Sequence, residues 1–151
     1  MTHYFFQFEQ DFVDSLRCIP MLVRLNLDTC GVKLKLVHWN QFNANERRSL
    51  LEIPCSTSDE IENYRQFLQD LITQKTGQPA TELGIASNPP WLNPEIIPES
   101  VQSKAAETGL TLTQSQWRSL TPIQRFALIK LSRASHENHN FIPALQEFGL
   151  C

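Results

Sequence analysis

Four cysteines are the residues of this chain best suited to chemistry, and their spacing decides which kind. Cys18, Cys30, Cys55 and Cys151 stand 12, 25 and 96 positions apart, whereas zinc and iron–sulfur sites use close pairs such as Cys-x-x-Cys. A buried free cysteine behaves as a small hydrophobe. Cys18, Cys30 and Cys55 therefore read first as core residues and Cys151 as an exposed terminal thiol; a metal or iron–sulfur carrier built on Cys18, Cys30 and Cys55 is the alternative. His136 and His139 are three apart within Ser135-His136-Glu137-Asn138-His139-Asn140, a stretch that reads as a turn. The five glycines are isolated, so no phosphate-cradling loop is present. Gly-x-Ser-x-Gly is absent, and no serine, histidine and aspartate set stands out by spacing. Acidic residues fall at helix starts and on polar faces, where solvation and the helix dipole account for them. The pattern implies no cofactor and no catalytic residues, and the chain reads as a non-enzyme.

What the pattern does specify is helices. Pro20 suits the first helical position, and Gly31 stands where a left-handed residue would end a helix containing Val23, Leu25, Leu27 and Cys30. Asn43 with Glu46, and Thr57 with Glu60, have the arrangement of capping boxes. The first opens a helix through Leu50, stopped by Pro54; the second opens one carrying Ile61, Tyr64, Leu68, Leu71 and Ile72 on one stripe, closed by Gly77. Residues 78–97 hold Pro79, Pro89, Pro90 and Pro94, which cannot sustain regular helix, and read as a surface loop around Trp91. Pro98 to Thr108 reads as another helix, Thr113 and Thr121-Pro122 as two more starts, and Pro143 as the opening of a terminal helix. Tyr4-Phe5-Phe6-Gln7-Phe8, with Phe12, reads as an extended aromatic segment laid over the core.

Compared with itself, the chain repeats. Residues 19–53 and 97–131 align without gaps at an offset of 78, pairing Pro20 with Pro98, Gly31 with Gly109, Trp39 with Trp117 and Arg47 with Arg125. Both tryptophans are expected in the core, and the arginines to bond helix-end carbonyls of their own unit. The expectation is an all-α protein: one compact multi-helix domain over 1–151, with two pseudo-repeated helical units and a proline-rich surface loop.

A length of 151 residues suffices for one core. Hydrophobic residues at 41% and charged residues at 19% describe a folded chain. No apolar run is long enough for a membrane span and no secretory signal is visible, so a cytoplasmic location is expected. A net charge of −3 argues against nucleic acid as a partner. The distribution is uneven: residues 17–48 carry six cations against two acids, and residues 49–100 two cations against eight acids. The cationic stretch suggests docking on an acidic partner surface through Arg17, Lys33, Lys35 and Arg48, with Phe5, Phe6 and Trp91 as candidate apolar anchors.

Several longer motifs carry a family resemblance. Phe8-Glu9-Gln10-Asp11-Phe12-Val13-Asp14-Ser15-Leu16-Arg17-Cys18-Ile19-Pro20-Met21, Leu27-Asp28-x-Cys30-Gly31-Val32-Lys33-Leu34, Thr121-Pro122-x-Gln124-Arg125-Phe126-Ala127-Leu128 and the closing Asn140-Phe141-x-Pro143-Ala144-Leu145-x-Glu147-Phe148-Gly149-Leu150 resemble the nitrate reductase-associated proteins of cyanobacteria. The resemblance runs from about residue 5 to the C-terminus. It implies a cytoplasmic accessory or maturation factor that binds and supports the ferredoxin-dependent molybdenum nitrate reductase, and it brings no catalytic residues with it. A general helical adaptor is the other reading that the residues alone permit.

Overall fold

The computed structural model describes residues 5–10, 19–85, 87–133 and 138–151. The fold is all-α, and among the described residues one isolated antiparallel bridge, Val32 with Glu82, is the extended pairing. Backbone packing divides the chain into two compact units, Met1–Ala86 and Ser87–Cys151.

The first unit contains α1 (Met21–Cys30), α2 (Leu36–Gln41), α3 (Ala44–Glu52) and α4 (Ser58–Thr76). Both expected capping boxes form: Asn43 Oδ1 accepts from the Glu46 N–H at 2.8 Å, and Thr57 Oγ1 from the Glu60 N–H at 3.2 Å. Val23, Leu27, Trp39, Phe42, Leu50, Tyr64, Leu68 and Ile72 make the core. The long α4 is tied across it, with the Tyr64 hydroxyl donating to Leu50 O at 2.7 Å and Arg65 Nε to Cys30 O at 2.8 Å. A six-residue helix such as α2 is too short to persist alone, so burying Trp39 is what holds it.

The second unit contains α5 (Glu99–Glu107), α6 (Gln114–Ser119), α7 (Pro122–Arg133) and α8 (Phe141–Glu147). Its core gathers around α7, whose Phe126, Leu128, Ile129 and Leu131 are buried with Val101, Trp117, Phe141 and Leu145. The segment Pro90–Leu92 forms a 3-10 turn against α7, and Trp91 meets Phe126 edge-on with ring centroids 5.0 Å apart.

Three expectations need correction. Pro20 and Pro98 are N-cap residues, in extended conformation one position before their helices, and not first helical residues. The terminal helix starts at Phe141, two residues before Pro143, because a proline within the first turn removes an N–H that has no helical partner anyway. Residues 7–9 form a 3-10 turn and not an extended strand, because the buried Glu9 folds back. Its Oε1 accepts from the Phe6 N–H and its Oε2 from the Met21 N–H, both at 3.1 Å, so a carboxylate sits at the positive end of α1. Phe12 lies outside the described residues.

Met21 and Glu99, Leu36 and Gln114, and Ala44 and Pro122 open helices at pairs of positions 78 apart, while Gln41 and Ser119 close α2 and α6 at the same separation. Gly31 and Gly109 have φ of 75° and 82° at corresponding places. In each unit an arginine reaches back to the carbonyl of the buried tryptophan, Arg47 Nε to Trp39 O at 3.1 Å and Arg125 Nη1 to Trp117 O at 3.4 Å. On this correspondence we propose that 19–53 and 97–131 are two copies of one helical unit.

The two tryptophans differ in one bond. Trp117 Nε1 donates to Asn93 O at 2.9 Å, whereas the buried Trp39 Nε1 finds no acceptor. Trp117→Phe should therefore destabilise the protein by about 1 kcal/mol more than Trp39→Phe, the net worth of one such bond. Urea unfolding of both variants reads the difference, and equal costs would contradict it.

Candidate partner-binding surface

The cationic residues singled out by the sequence do not all converge. Lys33 and Lys35 lie together in the extended link between α1 and α2, Arg48 lies on the exposed side of α3 beside Asn45, Glu52 and Pro54, and Arg17 is outside the described residues. Lys33, Lys35 and Arg48 are exposed and carry no ion pair among the described residues. Phe5 and Phe6 are half-buried, with Phe6 stacked on Phe8 at 5.2 Å. Trp91 is half-buried in the second unit, its ring committed to Phe126 and its carbonyl to Arg125 Nε at 2.8 Å.

The link bearing Lys33 and Lys35 is positioned by Gly31. Its left-handed conformation ends α1, and its N–H closes on Leu27 O at 2.8 Å. A Cβ there would meet Leu83 O at 2.6 Å and Ile85 Cγ1 at 3.0 Å, so only glycine admits the neighbouring chain. That chain runs antiparallel to the link: Leu83 N–H donates to Gly31 O at 2.7 Å and Lys33 N–H to Thr81 O at 2.9 Å. Val32 points into the core, so by alternation Lys33 and Leu83 share the outward face.

Helix α2 then begins with two aliphatic residues in water, Leu36 at 48% and Val37 at 56% exposure. Sequence reasoning missed them, together with the exposed Leu83 and Ile85. The signal was available: Lys33-Leu34-Lys35-Leu36-Val37 stands at the offset of Thr111-Leu112-Thr113-Gln114-Ser115, so neutral polar residues in one copy face lysines and aliphatics in the other. The change costs a cap. Thr113 Oγ1 accepts from the Gln116 N–H at 3.1 Å, whereas the lysine at position 35 has no acceptor to offer. The reciprocal bond is kept, His38 Nδ1 accepting from the Lys35 N–H at 3.2 Å as Gln116 Oε1 accepts from the Thr113 N–H at 2.9 Å. Burial, and then the Lys35 charge, hold the His38 imidazole below the ordinary histidine range.

In the second unit the corresponding helix is overlaid by residues 91–95. Gln114 Nε2 donates to Glu95 O at 2.9 Å and to its Oε2 at 3.0 Å, and Arg118 pairs with the same carboxylate at 2.8 Å.

The thiols have little reactive character. Burial pushes Cys30 up to about 11 and Cys55 up to about 12, so each stays protonated at neutral pH. Cys30 Sγ contacts Leu27 O at 3.8 Å and Cys55 Sγ contacts Asn26 O at 3.9 Å, while Cys151 is exposed. Among the described residues no three histidine, cysteine or carboxylate side chains gather as ligands; Cys18 and His136 lie outside them.

Two measurements test this local account. Lys35→Thr should restore the missing cap and raise stability by about 1 kcal/mol, read from the urea midpoint. His38 should titrate below 6.5 in the folded protein. Because that folded value is depressed, the stabilisation from its neutral Nδ1 is present above the unfolded pKa and lost as pH falls through the folded one. A proton NMR titration of His38 with a midpoint at or above 6.5 would contradict the account.

The chain belongs to the conserved nitrate reductase-associated protein family, whose model matches residues 5–148. No curated protein and no solved structure matches it. The family is described as associated with nitrate reductase and not as the reductase itself. No helix among the described residues is long and apolar enough to cross a membrane.

Proposed function

We propose, from that membership, that this protein is a non-catalytic accessory factor of the cytoplasm that binds nitrate reductase and supports its activity in nitrate assimilation. The observation that carries the reading is the family match over nearly the whole chain. The enzyme supported is the ferredoxin-dependent molybdenum reductase, and the protein itself contributes a surface and no reacting group. Two features of the molecule favour this division of labour. Its Cys30 and Cys55 thiols are pushed upward in pKa, away from the thiolate that redox or metal chemistry needs. Its cationic residues Lys33, Lys35 and Arg48 stand in solvent outside internal ion pairs among the described residues. Exposed cations of this kind speed encounter with an acidic surface and fix its orientation, and contribute less to final affinity.

Two experiments examine the reading. Tagged protein expressed in its host should co-purify with nitrate reductase, and deleting the protein should lower nitrate reduction in extracts while leaving the reductase polypeptide present. With purified partners, association should slow as salt rises, because the Debye length shrinks from about 10 Å at 0.1 M to about 3 Å at 1 M. Charge reversal at Lys33, Lys35 and Arg48 together should slow association several-fold and change stability by less than about 0.5 kcal/mol. Association kinetics indifferent to both salt and reversal would sink the electrostatic part of this function.

A further inference from the structure

We propose that Lys33, Lys35, Leu36, Val37, Leu83 and Ile85 form one docking face, and that its occupant is a partner-protein segment presenting aliphatic side chains flanked by carboxylates. The face deepens the functional reading above and rests on it for the identity of the partner.

The argument comes from comparing the two units. Helices α2 and α6 begin and end at the same offset, follow the same kind of extended link and bury a tryptophan at the same position. The backbone therefore makes no demand for lysine at 33 and 35 or for aliphatics at 36 and 37, since Thr111, Thr113, Gln114 and Ser115 build the same helix without them. Position 35 even gives up a side-chain cap that Thr113 supplies. Residues that expose apolar surface and forgo a cap, on a backbone that needs neither, are explained by something they touch.

The neighbouring strand extends the face. Gly31 lets residues 81–85 approach closely, and this sets Leu83 opposite Gly31, on the same outward side as Lys33 by alternation, with Ile85 packed next to the glycine. Leu83 and Ile85 are 45% and 52% exposed. At Gly109, by contrast, a Cβ would meet nothing within 4 Å. The second unit also shows what kind of group covers this side of such a helix: there residues 93–95 lie over α6 and present a carboxylate and carbonyls. On the first unit, lysines in place of threonines call for carboxylates, and Leu36 and Val37 call for aliphatic contact.

Other occupants fit less well. Two lysines fall short of the roughly four to eight cations that hold a polybasic surface to anionic lipid. A second copy of this chain, related by a twofold axis, would bring the same lysines face to face.

The test uses the full chain and a graft. Lys33→Thr, Lys35→Thr, Leu36→Gln and Val37→Ser together give residues 33–37 the side chains of 111–115. The graft should melt at or above the parent temperature and bind purified nitrate reductase at least about tenfold more weakly. Leu36→Gln with Val37→Ser should act mainly on dissociation, and Lys33→Thr with Lys35→Thr on association. Equal affinity of graft and parent overturns the docking face and leaves the functional reading standing. If the parent itself fails to bind the reductase, that reading falls, and the face is judged on a second probe. A synthetic peptide of alternating leucine and glutamate is then titrated into isotope-labelled protein, where shifts confined to residues 31–37 and 81–85 support the proposal and shifts elsewhere, or none, overturn it. Graft-sensitive binding to phosphatidylserine-rich vesicles, or a graft-sensitive dimer in sedimentation, overturns it in favour of a membrane or a second copy.

Discussion

A helix of six residues has almost no interior, and the described residues hold two of them at corresponding places. Nearly every backbone group in α2 and α6 belongs to a helix end, so each must find partners outside the helix. The buried tryptophan supplies the apolar anchor and a back-reaching arginine supplies the donors. Arg47 binds Trp39 O and Asn40 O from α3, and Arg125 binds Trp117 O from α7. Burial draws both guanidinium groups below the usual arginine range, yet each remains a cation at neutral pH, so its hydrogen bonds are charge-assisted. Removing the tryptophan or the arginine would leave the short helix with neither packing nor satisfied carbonyls.

Around that shared device the two units differ on their outer sides. In the second, residues 91–95 lie across α6, with carbonyls for Trp117 and Arg125 and a carboxylate for Gln114 and Arg118. In the first, residues 81–85 come instead beside Gly31, the link shows Lys33 and Lys35 to solvent, and the start of α2 shows Leu36 and Val37. Cores are constrained by volume and by satisfied polar groups, while a surface is free to change without unfolding the unit. Cys30, buried, and Cys55, half-buried, pack into the first unit's core, where burial pushes both thiols upward in pKa.

The helices were legible in the sequence where their ends carry a local signal. Asn43 with Glu46, Thr57 with Glu60, Thr113 and the left-handed Gly31 and Gly77 each act within a few residues, so their chemistry is written in order along the chain. The burial of Trp39 and Trp117 and the reach of Arg47 and Arg125 could be read as well, because the offset of 78 pairs like residues in the two segments. Helix α2 carried no such mark, since Lys35 is no cap. The exposed Leu36 and Val37 were hidden because aliphatics at a helix start read as core unless the facing surface is known.

Sequence alone thus determined the all-α class, the positions of the capped helices and the family, since each depends on residue types at fixed local spacing or on a long ordered motif. Only the tertiary structure decided that Glu9 caps α1 across 12 positions, that residues 81–85 pair with the link at Gly31, and that Trp91 is spent on Phe126. It also decided where the cations stand, pairing the Lys33 backbone with Thr81 in the link and leaving Arg48 on α3. The reason is physical: local turns and caps are set by neighbours in the chain, but a surface is the sum of distant segments brought together by burial, and hydrophobic burial has no direction that a linear pattern could encode.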